Sequence, residues 1–385
     1  MNFEERFDWK LFFTLCLFLT ISCVALYSAQ QSAQYNENFM FKQLIWYGVG
    51  GVVIAIMLYF EPDFYKKISW PLYIAGLIVL LALILAPATV APVIKGQKSW
   101  FILPGFGSIQ PSEFMKVFTI LILSNVITNH HEKNKLIHIR NDLVLLGKIV
   151  GLTLLPLVLI MQQPDLGTAL VFLAIMAGMI VISGIRWRVI LPIFGTVILT
   201  GSVLIWTALN FPQLLDQYLG VKQYQLGRIY AWLSPQQYSS SEGFQLIRAM
   251  RAIGSGQMYG KGMGERELYL PESHTDFIFS IVGEEYGFLG SCVVLLAFFL
   301  FIYRLTTIAS RANHKFSTYL MVGLICMITF HVFQNIGMSI QLLPITGIPL
   351  PYISYGGSSL LAFLIAVGLA FSVSYHHRTF MFGEE

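Results

Sequence analysis

Trp9-Lys10-Leu11-Phe12-Phe13-Thr14-Leu15-Cys16-Leu17-Phe18-Leu19-Thr20-Ile21-Ser22-Cys23-Val24-Ala25-Leu26-Tyr27 is an almost unbroken apolar run of nineteen residues. An α-helix needs about twenty such residues to cross the hydrocarbon core of a bilayer. Arg6 and Lys10 flank its start, and no small-residue cleavage motif follows it, so the run reads as a retained anchor rather than a signal peptide.

Similar runs recur at roughly 42–60, 68–87, 112–129, 143–161, 167–184, 188–208, 276–303, 317–340 and 356–376, which predicts ten spans. Composition agrees. Of 385 residues, 56% are hydrophobic and 11% charged, where a soluble domain carries about a quarter charged. The expected fold is all-α, a polytopic membrane protein forming one integral membrane domain over residues 1–385. Disorder, a disulfide-stapled secreted fold and a nucleic-acid module are excluded. Cys16, Cys23, Cys292 and Cys326 lie in apolar stretches without a C-x-x-C pair, so they read as small core residues, and neither a structural disulfide nor a zinc site is expected.

Orientation follows from Lys and Arg. With a cytoplasmic N-terminus, the inner segments hold Arg6, Lys10, Lys66, Lys67, Lys133, Lys135, Arg140, Arg186, Arg188, Arg304, Arg311, Lys315 and Arg378. The short outer loops hold Lys42, Lys95 and Lys98. Thirteen against three places both termini in the cytoplasm. The connection over 209–275, between spans seven and eight, is then a large extracytoplasmic loop. Its aromatics, Tyr218, Tyr230, Trp232, Phe244 and Tyr269 among them, suit packing on the outer membrane face, and Ser241-Glu242 opens a short amphipathic helix running through Arg248.

A charge at membrane depth costs about 2.5–3.5 kcal/mol on insertion scales, so the few ionisable residues within spans are functional candidates. Glu113 and Lys116, three residues apart, share a helix face and read either as a structural ion pair or as holders of a charged substrate. Lys148 reads as snorkelling. In Leu270-Pro271-Glu272-Ser273-His274-Thr275-Asp276-Phe277, a polar loop turns into an apolar helix at a carboxylate, which places Asp276 in the first turn of span eight. Ser273 or Thr275 is the alternative cap, with Asp276 merely complementing the helix dipole. Of Glu284 and Glu285, two turns deeper, at least one must face protein or water. Asp165, in Gln163-Pro164-Asp165-Leu166-Gly167-Thr168, is both an N-cap and a further outer carboxylate. The stretch from Pro344 to Ser359 holds three prolines and three glycines but no charge, so it cannot be a regular helix. Irregular backbone at membrane depth must be buried in protein or line a cavity, which predicts a substrate-facing re-entrant loop before span ten.

These stretches together resemble the SEDS family (shape, elongation, division and sporulation), the RodA/FtsW-type peptidoglycan glycan polymerases. Besides the Asp276, Asp165 and Pro/Gly words, Gly107-Ser108-Ile109-Gln110-Pro111-Ser112-Glu113-Phe114-Met115-Lys116, Ile253-Gly254-Ser255-Gly256 and Gly260-Lys261-Gly262 carry the resemblance across the chain. The short termini and the lead-in Asp8-Trp9 resemble the elongation, RodA-like branch more than the FtsW-like one. Carried over by position, the family's essential carboxylate falls on Asp276 and its loop tryptophan on Trp100. Lys95-Gly96-Gln97-Lys98-Ser99-Trp100 lacks the cation that family members often place just before the tryptophan, and Lys98 is the nearest substitute.

The resemblance implies a peptidoglycan glycosyltransferase that polymerises lipid II with inversion on the outer face of the bacterial cytoplasmic membrane, with Asp276 as general base. Glu113, Lys116, Trp100, Asp165, Arg228, Arg248, Lys261, His274 and Ser358 are the expected substrate-binding residues. Lys116, Arg228, Arg248, Arg251 and Lys261 are the cations available for the departing pyrophosphate. A divalent ion, Mg or Mn, held by Asp276, Glu113 or Asp165 is the alternative source of charge. A class B penicillin-binding protein and other cell-wall elongation proteins are the implied partners, the former meeting the last spans and the large outer loop; Gly323 and Gly337 are close-approach points for that partner or, in preference, for packing within the bundle. Rival readings are a lipid-precursor flippase or other transporter and a non-catalytic scaffold for a transpeptidase. The clustering of acids and of the large loop on the outer side argues against an alternating-access path.

Overall fold

The structure, a computed structural model, describes residues 6–31, 38–94, 96–103, 107–134, 138–211, 223–238, 243–268 and 270–377. Lys95, Lys135, Tyr218, Ser241, Glu242, Tyr269 and Arg378, which entered the topology and loop readings above, lie outside the described residues. Helices α1 (Trp9–Gln31), α2 (Phe39–Met57) and α3 (Pro62–Leu85) lead into strands β1 (Phe101–Leu103) and β2 (Gly107–Ile109). Then come α4 (Pro111–Lys133), α5 (Ile139–Met161), α6 (Leu166–Ile182) and α7 (Trp187–Asn210). The long connection contributes α8 (Gln223–Leu233), a 3-10 turn at Pro235–Tyr238 and α9 (Gly243–Ser255). Helices α10 (Ile278–Arg311), α11 (Lys315–Ser339) and α12 (Gly357–Tyr375) complete a multi-pass membrane bundle.

All ten apolar segments are helical, but among the described residues eight helices rather than ten are long and apolar enough to cross a membrane: α1, α2, α3, α5, α7, α10, α11 and α12. The ten-span expectation is corrected on that measure for two physical reasons. Helix α6 has 17 residues. Helix α4 is long, but Glu113, Lys116, Asn125, Asn129, His130, His131, Glu132 and Lys133 dilute its hydropathy. Sixteen of its 23 residues are buried, so protein rather than lipid surrounds it and polar side chains find partners there. Helix α7 is the opposite case. Among its residues only Ile190 and Ala208 are buried, and Leu191, Val197, Ile198, Leu199 and Trp206 face outward.

Local chemistry sets the helix starts. Pro62 and Pro111 open α3 and α4, where a missing N–H does no harm. Asp8 accepts from Leu11 N at 3.1 Å, Asn38 from Phe41 N at 3.0 Å and Asp165 from Thr168 N at 3.0 Å. Arg304 grips both oxygens of Asp8 at 2.8 to 3.0 Å, and Ser374 adds a bond at 3.2 Å, tying α1, α10 and α12 at one end. Lys66–Glu132 at 3.2 Å and Arg186–Asp142 at 2.7 Å join further segments expected on that same side.

Close helix approaches use glycine. A Cβ on Gly323 would lie 2.4 Å from Ile120 of α4, and one on Gly337 would lie 3.1 Å from Leu343. Both are buried within the bundle, the use preferred for them over contact with a partner.

The short hairpin β1–β2, three residues a strand in register Phe101↔Ile109, is added to an otherwise all-α bundle. Lys98 donates to the carbonyls of Ile84 (2.8 Å) and Ala86 (2.6 Å), closing the end of α3 rather than standing in for the missing cation near Trp100.

Candidate active site

The charge-free segment between α11 and α12 is irregular, and its second half is buried, with Ile348, Leu350, Tyr352 and Ile353 at 3% exposure or less. Its carbonyls cannot bond within a helix, so side chains from three helices serve them. Ser22 donates to Ile353 O (2.8 Å), Gln43 to Ser354 O (3.1 Å) and Tyr47 to Tyr352 O (2.7 Å). From α11, Gln334 donates to Pro344 O at 2.9 Å. Asn335 spans two segments with one amide, donating to Ile348 O and to Asp276 O, each at 2.8 Å.

Asp276 is therefore fastened to the Pro/Gly loop. It is half-buried, and its Oδ2 lies 3.4 Å from where a Cβ on Gly347 would stand; Gly347 sits at φ 72°, a conformation that suits glycine. The helix begins at Ile278 after a run of turns, so Asp276 precedes α10 instead of occupying its first turn. Neither alternative cap forms: Phe277 is the N-cap and makes no side-chain cap bond, and Thr275 Oγ1 bonds Glu272 instead. Ser354 Oγ donates to Thr275 O (2.5 Å) and Tyr355 N to His274 O (2.9 Å). The buried His274 ring stacks on Phe39 at 4.3 Å.

Around this seam the structure gathers several expected residues. Asp165 accepts from Thr168 Oγ1 (2.7 Å) and Gln110 Nε2 (2.9 Å). Ser358 Oγ accepts from Gln110 N (3.0 Å) and donates to Ser108 O (3.2 Å). Trp100 is half-buried beside Ser99, whose Oγ donates to Gln163 O at 3.4 Å. Glu113 and Lys116 pair at 2.9 Å, both buried, and Lys116 Nζ meets His331 Nε2 at 3.0 Å. His331 Nδ1 faces Met327 O at 2.8 Å, so Nδ1 carries the proton and Nε2 accepts from the ammonium. His331 lies one turn from Asn335 on α11, so the buried pair and Asp276 are held by one helix face.

Other expected residues stand apart. Arg248 lies over the Phe244 ring at 4.1 Å on α9, and Arg228 is half-buried on α8. Ala249 of α9 packs with Phe277, Leu270 and Met338, which brings that helix against the neighbour of Asp276. Lys261 is committed to Glu284 (3.1 Å) and Glu267 (3.0 Å). Desolvation opposes its charge, but these two carboxylates outweigh that and hold its pKa above the ordinary lysine value. Both Glu284 and Glu285 face protein, the latter against Arg266 and Ser28.

Seam atoms without a hydrogen-bond partner among the described residues include Gln163 Nε2 and Oε1, Ser112 Oγ, Ser273 Oγ, Thr346 Oγ1 and Asn335 Oδ1. Such a lining suits hydroxyl and amide groups of a polar substrate. It does not suit a divalent ion. Glu113 is spent on Lys116, Asp165 on Thr168 and Gln110, and no group of three His, Cys, Asp or Glu that could hold a metal exists among the described residues. The neutral polar residues His331, Gln334 and Asn335 escaped a reading that weighed charges; their i, i+3, i+4 spacing inside an apolar run was the available signal.

The sequence profile of the Cell cycle protein family, which groups FtsW, RodA and SpoVE, matches residues 6–379. The chain belongs to this SEDS family. Its SEDS relatives include stage V sporulation protein E of Bacillus subtilis (strain 168), 36% identical over 383 residues, covering 96% of this chain and 98% of the relative. The probable peptidoglycan glycosyltransferase FtsW of Haemophilus influenzae is 30% identical over 392 residues, covering 98% and 93%. Among solved structures, a chain of a peptidoglycan synthase complex that coordinates polymerization and crosslinking superposes with TM-score 0.77 at 27% identity, covering 96% of this chain and 97% of that one. The rod shape determining protein RodA of Thermus thermophilus superposes with TM-score 0.68 at 26% identity, covering 97% and 98%.

Proposed function

We propose that this SEDS protein is a peptidoglycan glycosyltransferase that builds glycan strands from lipid II, a disaccharide-pentapeptide on undecaprenyl pyrophosphate. The observation that carries the reading is the family match over residues 6–379. Asp276 is the general base. It takes the proton of the acceptor 4-hydroxyl as that oxygen bonds to the anomeric carbon of the growing chain. The bond from that carbon to the pyrophosphate breaks, and the undecaprenyl pyrophosphate leaves with the electron pair. One displacement on an α-linked donor gives a β-linked product, so the step inverts without a covalent glycosyl-enzyme. Asn335 and the Gly347 turn support the assignment of the base, because they fix the backbone on either side of its carboxylate. Arg228 and Arg248 are the cations for the leaving pyrophosphate, guanidinium being the better match for phosphate oxygens. Glu113, Lys116, Trp100, Asp165, His274 and Ser358 shape the substrate side of the seam.

The protein sits in the bacterial cytoplasmic membrane as one integral membrane domain, with both termini inside, the long connection between α7 and α10 outside and the Pro/Gly loop re-entrant. Support comes from Asp8–Arg304, Lys66–Glu132 and Asp142–Arg186, which pair segments all expected inside. Its partner is a class B penicillin-binding protein, joined by other elongation proteins; that transpeptidase supplies the peptide cross-linking. The elongation branch is the further assignment, on the lead-in Asp8-Trp9, and rescue of a rod-shape-depleted rather than a division-depleted strain tests it. The function itself is tested by incubating purified protein and transpeptidase with lipid II in detergent, where no membrane has to be crossed. Glycan chains support the polymerase; their absence alongside lipid II translocation in vesicles favours the flippase.

A further inference from the structure

Helix α10 is broken. Gly287 sits at φ 63°, ψ −155°, and separates a half-helix Ile278–Tyr286 from the longer stretch that follows. An unbroken α-helix would bond Phe288 N to Glu284 O and Leu289 N to Glu285 O. Here all four groups find partners in one segment of the outer connection. Phe288 N donates to Gln257 O (2.9 Å) and Leu289 N to Met258 O (3.2 Å), while Lys261 N donates to Glu284 O (3.0 Å) and Gly262 N to Glu285 O (3.1 Å). Residues 257–262 thus act as a splint that replaces the two missing helical bonds and satisfies these four backbone groups.

The splint fits only with glycine. A Cβ on Gly260, which sits at φ 82°, would lie 2.0 Å from Glu285 O, and one on Gly256 would lie 2.0 Å from Gly283 O. Ion pairs lock the join. Lys261 meets Glu284 at 3.1 Å, and Arg266 meets Glu285 at 3.2 Å, with both glutamates at 2% exposure or less. Lys261 also faces Glu267 at 3.0 Å, so two carboxylates already surround its ammonium, an environment that repels a pyrophosphate.

Asp276 stands two residues ahead of the short half-helix. With α10 interrupted, the tilt of that half is set by the splint on one side and by Asn335 on the other. We infer that Lys261 and Glu284 are positioning residues for Asp276: their ion pair clamps the splint to the half-helix and sets the angle at which the base meets the acceptor hydroxyl. The inference rests on the polymerase reading above.

The test compares K261M, E284Q, K261R and G260A with the wild type in the purified complex, measuring kcat and KM for lipid II, thermal stability, and hydrogen exchange over 276–289. K261M and E284Q are expected to lower kcat about tenfold or more while KM stays within about twofold, because a displacement of about an ångström at a reacting group has effects of that size. K261R, which keeps the cation, restores most of kcat. G260A, which leaves every charge in place, reproduces the kcat loss and speeds exchange at Phe288 and Leu289. A raised KM with intact kcat in K261M would mean that Lys261 binds substrate and would overturn the inference, as would wild-type kcat in G260A together with E284Q. If the wild type makes no glycan, the polymerase reading fails by itself. Exchange then decides the clamp: faster exchange over 276–286 in K261M and E284Q upholds it, and unchanged exchange ends it.

Discussion

The side-chain amide of Asn335 holds the backbone carbonyl of Asp276 at 2.8 Å and, with the same nitrogen, the carbonyl of Ile348. One buried residue on α11 therefore sets the distance between the proposed base and the loop it faces. Asn335→Leu strands two carbonyls, each worth about 1–3 kcal/mol when left unsatisfied, and frees the segment bearing Asp276. The expected outcome is a lower melting temperature and a fall in glycan synthesis larger than the loss of folded protein accounts for. Activity that merely tracks the folded fraction would remove Asn335 from the positioning account.

Glu113 and Lys116 form a buried pair to which His331 adds a third member. Removing one charge leaves the other unpaired, which destabilises by about 3–5 kcal/mol, whereas replacing both by apolar residues of similar size is often neutral. Glu113→Gln and Lys116→Met are thus expected to melt well below the wild type, and Glu113→Leu/Lys116→Met close to it. The double variant should remain inactive on lipid II, since the pair also shapes the seam. A stable, fully active double variant would reduce the pair to structure alone.

How much of this was legible depended on the kind of signal. Hydropathy located α1 and the other apolar segments because burial in lipid demands length and apolarity together. It overcounted where α4 is shielded by protein and where α6 is short. The position of Asp276 between loop and helix was legible, but not its displacement ahead of α10, because turn residues 271–277 bond only locally and to the distant loop. The break at Gly287 left no trace in hydropathy, since its missing bonds are repaired by residues 257–262, remote in the chain. Asn335, a single neutral amide, hardly dents the apolarity of its span. The β1–β2 hairpin is too short, at three residues a strand, for alternation to register.

Gly167 opens α6 against the Pro/Gly loop; a Cβ there would stand 2.7 Å from Thr346 O and from Ile348 Cγ2. Gly167→Ala is expected to push that loop, and Gly347 with it, away from Asp276. Overpacking of this kind destabilises by about 1–3 kcal/mol. Melting and lipid II turnover should fall together. Wild-type turnover would show that the loop position does not govern the base.

Lys261 offers a pH signature. Its pKa in the folded protein is raised above the ordinary 10.5 by Glu267 and Glu284. A raised pKa contributes stability that is complete below the unfolded value and is lost as pH climbs through the folded one. The melting difference between wild type and K261M should therefore hold steady from about pH 7 to 9 and shrink at pH values above 10.5. A difference that instead grew with alkalinity would contradict the ion pair.

The central claim is that Asp276 removes the proton from the acceptor hydroxyl. The most direct measurement sets Asp276→Asn beside the wild type, each purified with the transpeptidase and given lipid II in detergent, with chain length read on gels and folding by thermal melt. Asparagine keeps shape and most hydrogen bonding but cannot accept the proton, so synthesis is expected to fall by at least about a hundredfold with an unchanged melt. Glycan strands of normal length and rate from the folded Asp276→Asn protein would contradict the account.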